Sequence, residues 1–169
     1  MDGCVFDGAF GRRLGLSIVS MAKPGVHIAC ADSDNYKGGM VVAYGREPER
    51  LVRYIRNGAA AVWLSGGRPE PMLVAEMATH ATMLCVPLHT ITAAYGIERS
   101  RRIRHAAGMV RACMKRRLGI GFVSLASSPW QMCSAMQMLG LAMLLNGGDE
   151  QHARFSISAT NKALCELML

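Results

Sequence analysis

Short apolar runs that fail to alternate with polar residues recur along this chain, at 4–6, 16–21, 26–31, 40–44, 60–64, 83–88, 120–125 and 155–157. A strand with one face in water alternates, whereas a strand covered on both faces has no need to, so these runs predict strands buried on both sides. Patterns of helical period lie between several of them, at 48–56, 70–80, 98–118 and 131–145, the first opening on Pro48, a residue suited to a first helical turn. Strands that alternate with helices favour right-handed βαβ units and a mainly parallel sheet, open or closed. The first forty residues offer no convincing helix, so the pattern is irregular there. Gly38-Gly39, Gly66-Gly67 and Gly147-Gly148 punctuate element ends. Without a linker, repeat or low-complexity stretch, residues 1–169 read as one α/β domain, large enough for a real core but short for eight complete βα units.

Hydrophobic residues make up 51% of the chain and charged residues only 18%, the reverse of a disordered composition. One stretch, 118–148, carries no charge and is longer than a membrane-spanning helix needs to be. Ser127, Ser128, Pro129 and Gln131 interrupt it, which predicts a short strand and then a separate helix, with no membrane partner. Asp2 and Asp7 sit where a secretory signal would be basic and then apolar, so export is not expected. The six cysteines (Cys4, Cys30, Cys85, Cys113, Cys133, Cys165) are dispersed without C-x-x-C spacing and read as small buried hydrophobes in a reducing compartment, giving a cytoplasmic location.

The charge is concentrated. Residues 98–117 hold eight Lys or Arg (Arg99, Arg101, Arg102, Arg104, Arg111, Lys115, Arg116, Arg117) against one acid, Glu98, so this segment carries +7, the net charge of the entire chain. At about 100° per residue, Arg101, Arg104, Arg111 and Lys115 form one stripe, with Ile103, Ala106, Ala107, Val110 and Met114 on the other side. A helix that is merely solvated pairs its charges at i,i+4, and the scarcity of acids here points instead to a polyanion. Arginine predominates, and its planar fork matches phosphate oxygens. A weaker basic cluster (Arg46, Arg50, Arg53, Arg56) is partly neutralised by Glu47 and Glu49, and solvation and binding are both open for it. Gly66-Gly67 before Arg68 suits either a phosphate contact or a plain strand-end turn.

Catalytic signatures are sparse. The five histidines (His27, His80, His89, His105, His152) form no H-x-H or H-E-x-x-H, and no nucleophile elbow, P-loop or dinucleotide fingerprint occurs. Asp32 and Asp34 lie close together, but no further carboxylates accompany them to build a cation site. No metal or catalytic residue is therefore assigned.

Four stretches share their order with a known family: the opening Met1-Asp2-Gly3-Cys4-Val5, "REPERLVRYIRNGAAAVWLSGG", "YGIERSRRIRHAAGMVRACMKRRLGIGFVSLASSPWQM" and "FSISATNKALCEL". In that order the chain resembles archaeal ribonuclease P protein component 3, a relative of the polymerase-and-histidinol-phosphatase type of barrel. The resemblance implies a small, incomplete or distorted (β/α) barrel of the TIM type, because the portion between Gly67 and Leu88 and the first forty residues are shorter than the family pattern. Charged residues usual after Trp130 and a proline usual near Asn161 are also missing. Where catalytic barrels of this kind carry H-x-H after an N-terminal Asp, this chain has Cys4 and Phe6 after Asp2, which implies a barrel without its metal centre.

By the same resemblance, the chain is a non-catalytic RNA-binding subunit of ribonuclease P, supporting RNA-catalysed removal of the 5′ leader from precursor tRNA, with Mg²⁺ held at the RNA and no cofactor on the protein. Its partners are ribonuclease P RNA, precursor tRNA and component 2, with the Met-rich segment 131–145 open to two uses, core or protein interface. Ser127, Ser128 and Trp130, with Arg46, Arg53 and Arg68, join the basic helix as candidate contacts to RNA or partner. Two other classes stay open: a metal-dependent phosphoesterase on the related barrel, and a small-molecule-binding α/β domain.

Overall fold

The five apolar runs between residues 26 and 125 all become strands. The computed structural model describes residues 27–30, 40–124 and 133–160. In chain order the elements are β1 (His27–Cys30), β2 (Met40–Gly45), α1 (Pro48–Arg56), β3 (Ala61–Leu64), α2 (Pro71–Thr79), β4 (Met83–Pro87), a short α3 (His89–Thr92), α4 (Gly96–Lys115), β5 (Ile120–Val123), α5 (Ala135–Asn146), α6 (Glu150–Phe155) and a π-helical turn at Ser156–Thr160. The runs at 4–6 and 16–21 lie outside the described residues.

The sheet is parallel throughout, and its strands stand side by side in chain order, β1-β2-β3-β4-β5. A doubly wound sheet reverses its strand order partway, sending helices to both faces. With no reversal, crossovers of one hand carry the helices to one face, as in the winding of a (β/α) barrel. The architecture is thus the expected α/β class with part of a barrel-like sheet.

Burial explains the missing alternation. All four residues of β3 are buried, as are Leu84, Cys85, Val86 and Pro87 at consecutive positions of β4. The lateral row Ala43, Val62, Leu84 and Ile120 is in register across four strands. It joins one core with Leu51 and Ile55 of α1, Leu73 and Met77 of α2, and Met109 and Cys113 of α4. Burial pushes the Cys85 and Cys113 thiols up to about 12, so both behave as the small hydrophobes the sequence suggested.

The helices begin where local chemistry allows. Pro48 and Pro71 occupy first turns, where the missing N–H costs no hydrogen bond. In α5 a capping box sets the start: Gln137 N–H donates to Ser134 Oγ (3.3 Å) while Ser134 N–H donates to Gln137 Oε1 (2.8 Å). The helix expected from 131 therefore starts at Ala135. It ends at Gly147, whose φ of +87° is the left-handed conformation glycine adopts without strain.

One expected element is corrected. Residues 155–157 do not form a strand; Phe155 closes α6 and Ser156 opens the π-helical turn. Asp149 drives the helix by accepting the His152 N–H on its carboxylate at 2.8 Å, and Arg154 pairs with Glu150 one turn away. These local bonds outweigh the β preference of three apolar residues. The uncharged stretch 118–148 yields a strand and a separate 12-residue helix, and no helix among the described residues is long and apolar enough to cross a membrane.

Candidate nucleic-acid interface

Helix α4 spans 20 residues, about 30 Å at 1.5 Å per residue. Its inner face buries Ala106, Met109, Val110 and Cys113 under the sheet. Ile103, Ala107 and Met114, expected on the core side, are only partly buried there, because the packed face is rotated towards Met109 and Cys113. Those two residues interrupt the basic run at the spacing of a core face and were the signal that would have placed it.

Arg101, Arg104, Arg111 and Lys115 are all exposed on the outer face, as the angular reading predicts, and none has a hydrogen-bonding or ionic partner among the described residues. Arg102 is different. Its Nε donates to Glu98 Oε1 at 2.9 Å and its guanidinium also donates to the Thr90 carbonyl at 2.6 Å, tying the start of α4 to α3. The single acid of the segment is thus consumed by one arginine. Arg99 also lies in the first turn of the helix, at the positive end of its dipole, where a cation is disfavoured.

The far end of α4 is closed by a Schellman motif. Arg117 N–H donates to the Met114 carbonyl (3.0 Å) and Leu118 N–H to the Cys113 carbonyl (3.1 Å). The left-handed position of that motif, normally glycine, holds Arg117 at φ +56°. A Cβ at such a φ costs about 1 kcal/mol or more, so an arginine sits where the backbone prefers none.

The loop between β3 and α2 lies against the helix. His105 places Nε2 2.5 Å from the Leu64 carbonyl and Nδ1 2.8 Å from the Gly67 carbonyl, and its ring meets Trp63 edge-on at 5.4 Å. One turn on, a Cβ at Gly108 would come within 3.3 Å of Pro69 Cγ, so the helix has no side chain where the loop crosses it. These contacts bring Arg68, flanked by Gly67 and Pro69, to the edge of the basic stripe, a proximity that its 33-residue distance from Arg101 in sequence concealed.

Because the strands are parallel, the chain leaving β2, β3 and β4 emerges at one rim of the sheet. Arg46, Arg68 and the opening turns of α4 share that rim, while Lys115, Arg116 and Arg117 precede β5 at the opposite one. Arg53 is exposed on α1, between Arg46 and Arg68 in chain order. Ser127, Ser128 and Trp130 lie outside the described residues, as do Asp2, Cys4, Phe6, Asp32 and Asp34. Among the described residues, no three His, Cys, Asp or Glu side chains gather to hold a metal ion.

His89 follows β4 at the same rim and is about half buried. Its Nδ1 lies 3.0 Å from the Ser124 carbonyl. Burial lowers its pKa, and the nearby Arg102 charge lowers it further against the opposing backbone contact. Sequence reasoning missed two other features of this rim, Tyr95 and Ile97. Both are strongly exposed, and Ile97 occupies the angular position of Lys115 on an otherwise charged stripe.

No family model matches the sequence, and no curated protein does. Among solved structures, the chain is similar to one from a cryo-EM structure of archaeal ribonuclease P with mature tRNA, with a TM-score of 0.66 at 12% sequence identity. The match covers 77% of this chain and 57% of that one, so the present chain spans little more than half its neighbour's length. At that identity the likeness is one of fold.

Proposed function

We propose that this chain is a non-catalytic RNA-binding protein of a ribonuclease P assembly, of the component 3 type, which supports RNA-catalysed removal of the 5′ leader from precursor tRNA. The observation that carries this reading is the outer face of α4: four cations in a stripe, none neutralised from within the described fold. Such a face releases condensed counterions when phosphates replace solvent, and it contacts backbone rather than bases, so it positions RNA without reading sequence. The shared fold with a ribonuclease P chain supports the choice of RNA and of assembly.

On this reading the protein works in the cytoplasm, Mg²⁺ chemistry belongs to the RNA, and the protein binds ribonuclease P RNA and precursor tRNA. A protein partner, component 2, is supported by α5, which buries Met138, Ala142 and Leu145 yet leaves Met136 and Leu144 exposed; Phe155 of α6 is exposed as well. The Met-rich helix thus divides between core and surface.

The test is RNA recovered with the protein from its native cells, followed by titration of ribonuclease P RNA at several salt concentrations. Binding should weaken steeply with salt, with the slope falling by about one for each stripe cation removed. Binding that is absent, or indifferent to salt, both alone and with component 2, would overturn the reading. Stoichiometric Mn or Zn together with phosphatase activity would replace it with a phosphoesterase.

A further inference from the structure

The first turn of α4 carries a feature that phosphate binding does not use. Tyr95 is 82% exposed and Ile97 74% exposed, and both stand at the head of a helix whose outer face is otherwise cationic. The Tyr95 side chain makes no hydrogen bond or ring contact with any described residue. The backbone is arranged to hold it out: Ala94 is buried, Tyr95 is extended (φ −127°, ψ 157°), and Gly96 then turns the chain into the helix at φ +54°. A Cβ at Gly96 would meet nothing within 4 Å, so the glycine is required by its dihedral and not by lack of room.

We infer that Tyr95, one helical turn before Arg99 at the head of the basic helix, is a stacking platform for an unpaired RNA base. The inference rests on the RNA-binding reading above and deepens it by stating which form of RNA reaches this end of the stripe. Aromatic rings and guanidinium planes beside a basic track are the elements with which proteins hold splayed bases, whereas a continuous duplex presents only phosphates and grooves. Arg99 lies one helical turn beyond Tyr95, its N–H donating to the Tyr95 carbonyl at 3.3 Å. A membrane surface fits less well, because an interfacial helix needs an apolar stripe along its length, and beyond Ile97 the exposed residues of the outer face are Arg101, Arg104, Arg111 and Lys115.

The experiment uses the full chain, with Tyr95→Ala and Tyr95→Phe, against three probes: a single-stranded oligoribonucleotide, the blunt duplex formed with its complement, and the same duplex carrying one unpaired 2-aminopurine. Wild type should prefer the unpaired probes and quench 2-aminopurine. Tyr95→Ala should lose about tenfold or more on those probes, the expected effect of one stacked base, with little change on blunt duplex and no change in salt slope. Tyr95→Phe should keep wild-type behaviour, since stacking needs the ring and not the hydroxyl. Unchanged binding by Tyr95→Ala, an equal loss on blunt duplex, or failure of Tyr95→Phe would overturn the platform while leaving the stripe intact. If no RNA form binds even wild type, the RNA-binding reading itself fails and the platform with it.

Discussion

Helices α1 and α4 are both rich in arginine, yet the fold treats their charges in opposite ways. On α1, Arg50 pairs with Glu47 at 2.6 Å, and Arg56 reaches across to Glu76 of α2, which His80 also approaches at 3.6 Å. The Arg56 hydrogen bond is the main reason the Glu76 carboxyl is held below its usual range. Among the described residues, Arg102 is the one cation of α4 that finds an acid, and the others are exposed. The lesson is that a count of basic residues does not identify an interface. What identifies one is the lack of an internal acid for each cation, because charges already paired within the fold have little left to gain from a phosphate.

The comparison is broken most directly by removing cations from each helix. The variant Arg101→Ala/Arg104→Ala/Lys115→Ala should lose RNA affinity on the order of a hundredfold at 0.1 M salt, with a salt slope shallower by about three. Arg50→Ala/Arg56→Ala should stay within a few-fold of wild type. Equal losses from the two variants, measured by fluorescence anisotropy, would abolish the distinction.

Overfilling the contact between α4 and the β3–α2 loop should give the next largest effect. Gly108→Ile drives a branched side chain towards Pro69, and should cost about 2 kcal/mol by overpacking while displacing Arg68 from the stripe. A denaturant titration would register the first effect and a weaker RNA complex the second. A wild-type midpoint would mean that the loop does not press on the helix.

Arg117→Gly sharpens the contrast by separating stability from binding. Relief of the left-handed arginine should stabilise the fold by about 1 kcal/mol, while loss of one cation weakens RNA binding several-fold and shifts the slope by about one. Most substitutions at an interface lose on both counts. A variant that gained neither stability nor lost affinity would show that Arg117 serves neither role.

The smallest effect concerns pH. Because the folded state lowers the His89 pKa, the unfolded chain binds a proton more readily as pH falls below the ordinary histidine range. The contribution of this group is present at neutral pH and declines as pH drops through that range towards the folded value. Thermal midpoints of His89→Gln should therefore fall less steeply than wild type on acidification, and parallel curves would remove His89 from the account.

Much of the fold was legible because it rests on short-range physics. Unbroken apolar runs such as 60–64 and 83–88 have to be covered on both faces, and Pro48 has its φ preset for a first helical turn. The strand expected at 155–157 fails for the same kind of reason, since the cap at Asp149 was equally present in sequence and outweighs three apolar residues. The +7 segment and its stripe also needed only helical geometry.

Other features depended on residues distant in sequence. Nothing near Arg102 or Arg56 announced that the first would be taken by the Thr90 carbonyl and the second by Glu76 of another helix. The approach of Arg68 to the stripe rests on His105 reaching carbonyls 38 and 41 residues away. What the sequence by itself determined is the alternation of buried strand and helix and the placing of the whole net charge in the segment 98–117, most of it on α4. Only the tertiary structure decided which of those charges remain unpaired and which loop joins them, because ion pairing and loop docking depend on distances between elements, and these exist only once the sheet has brought the elements together.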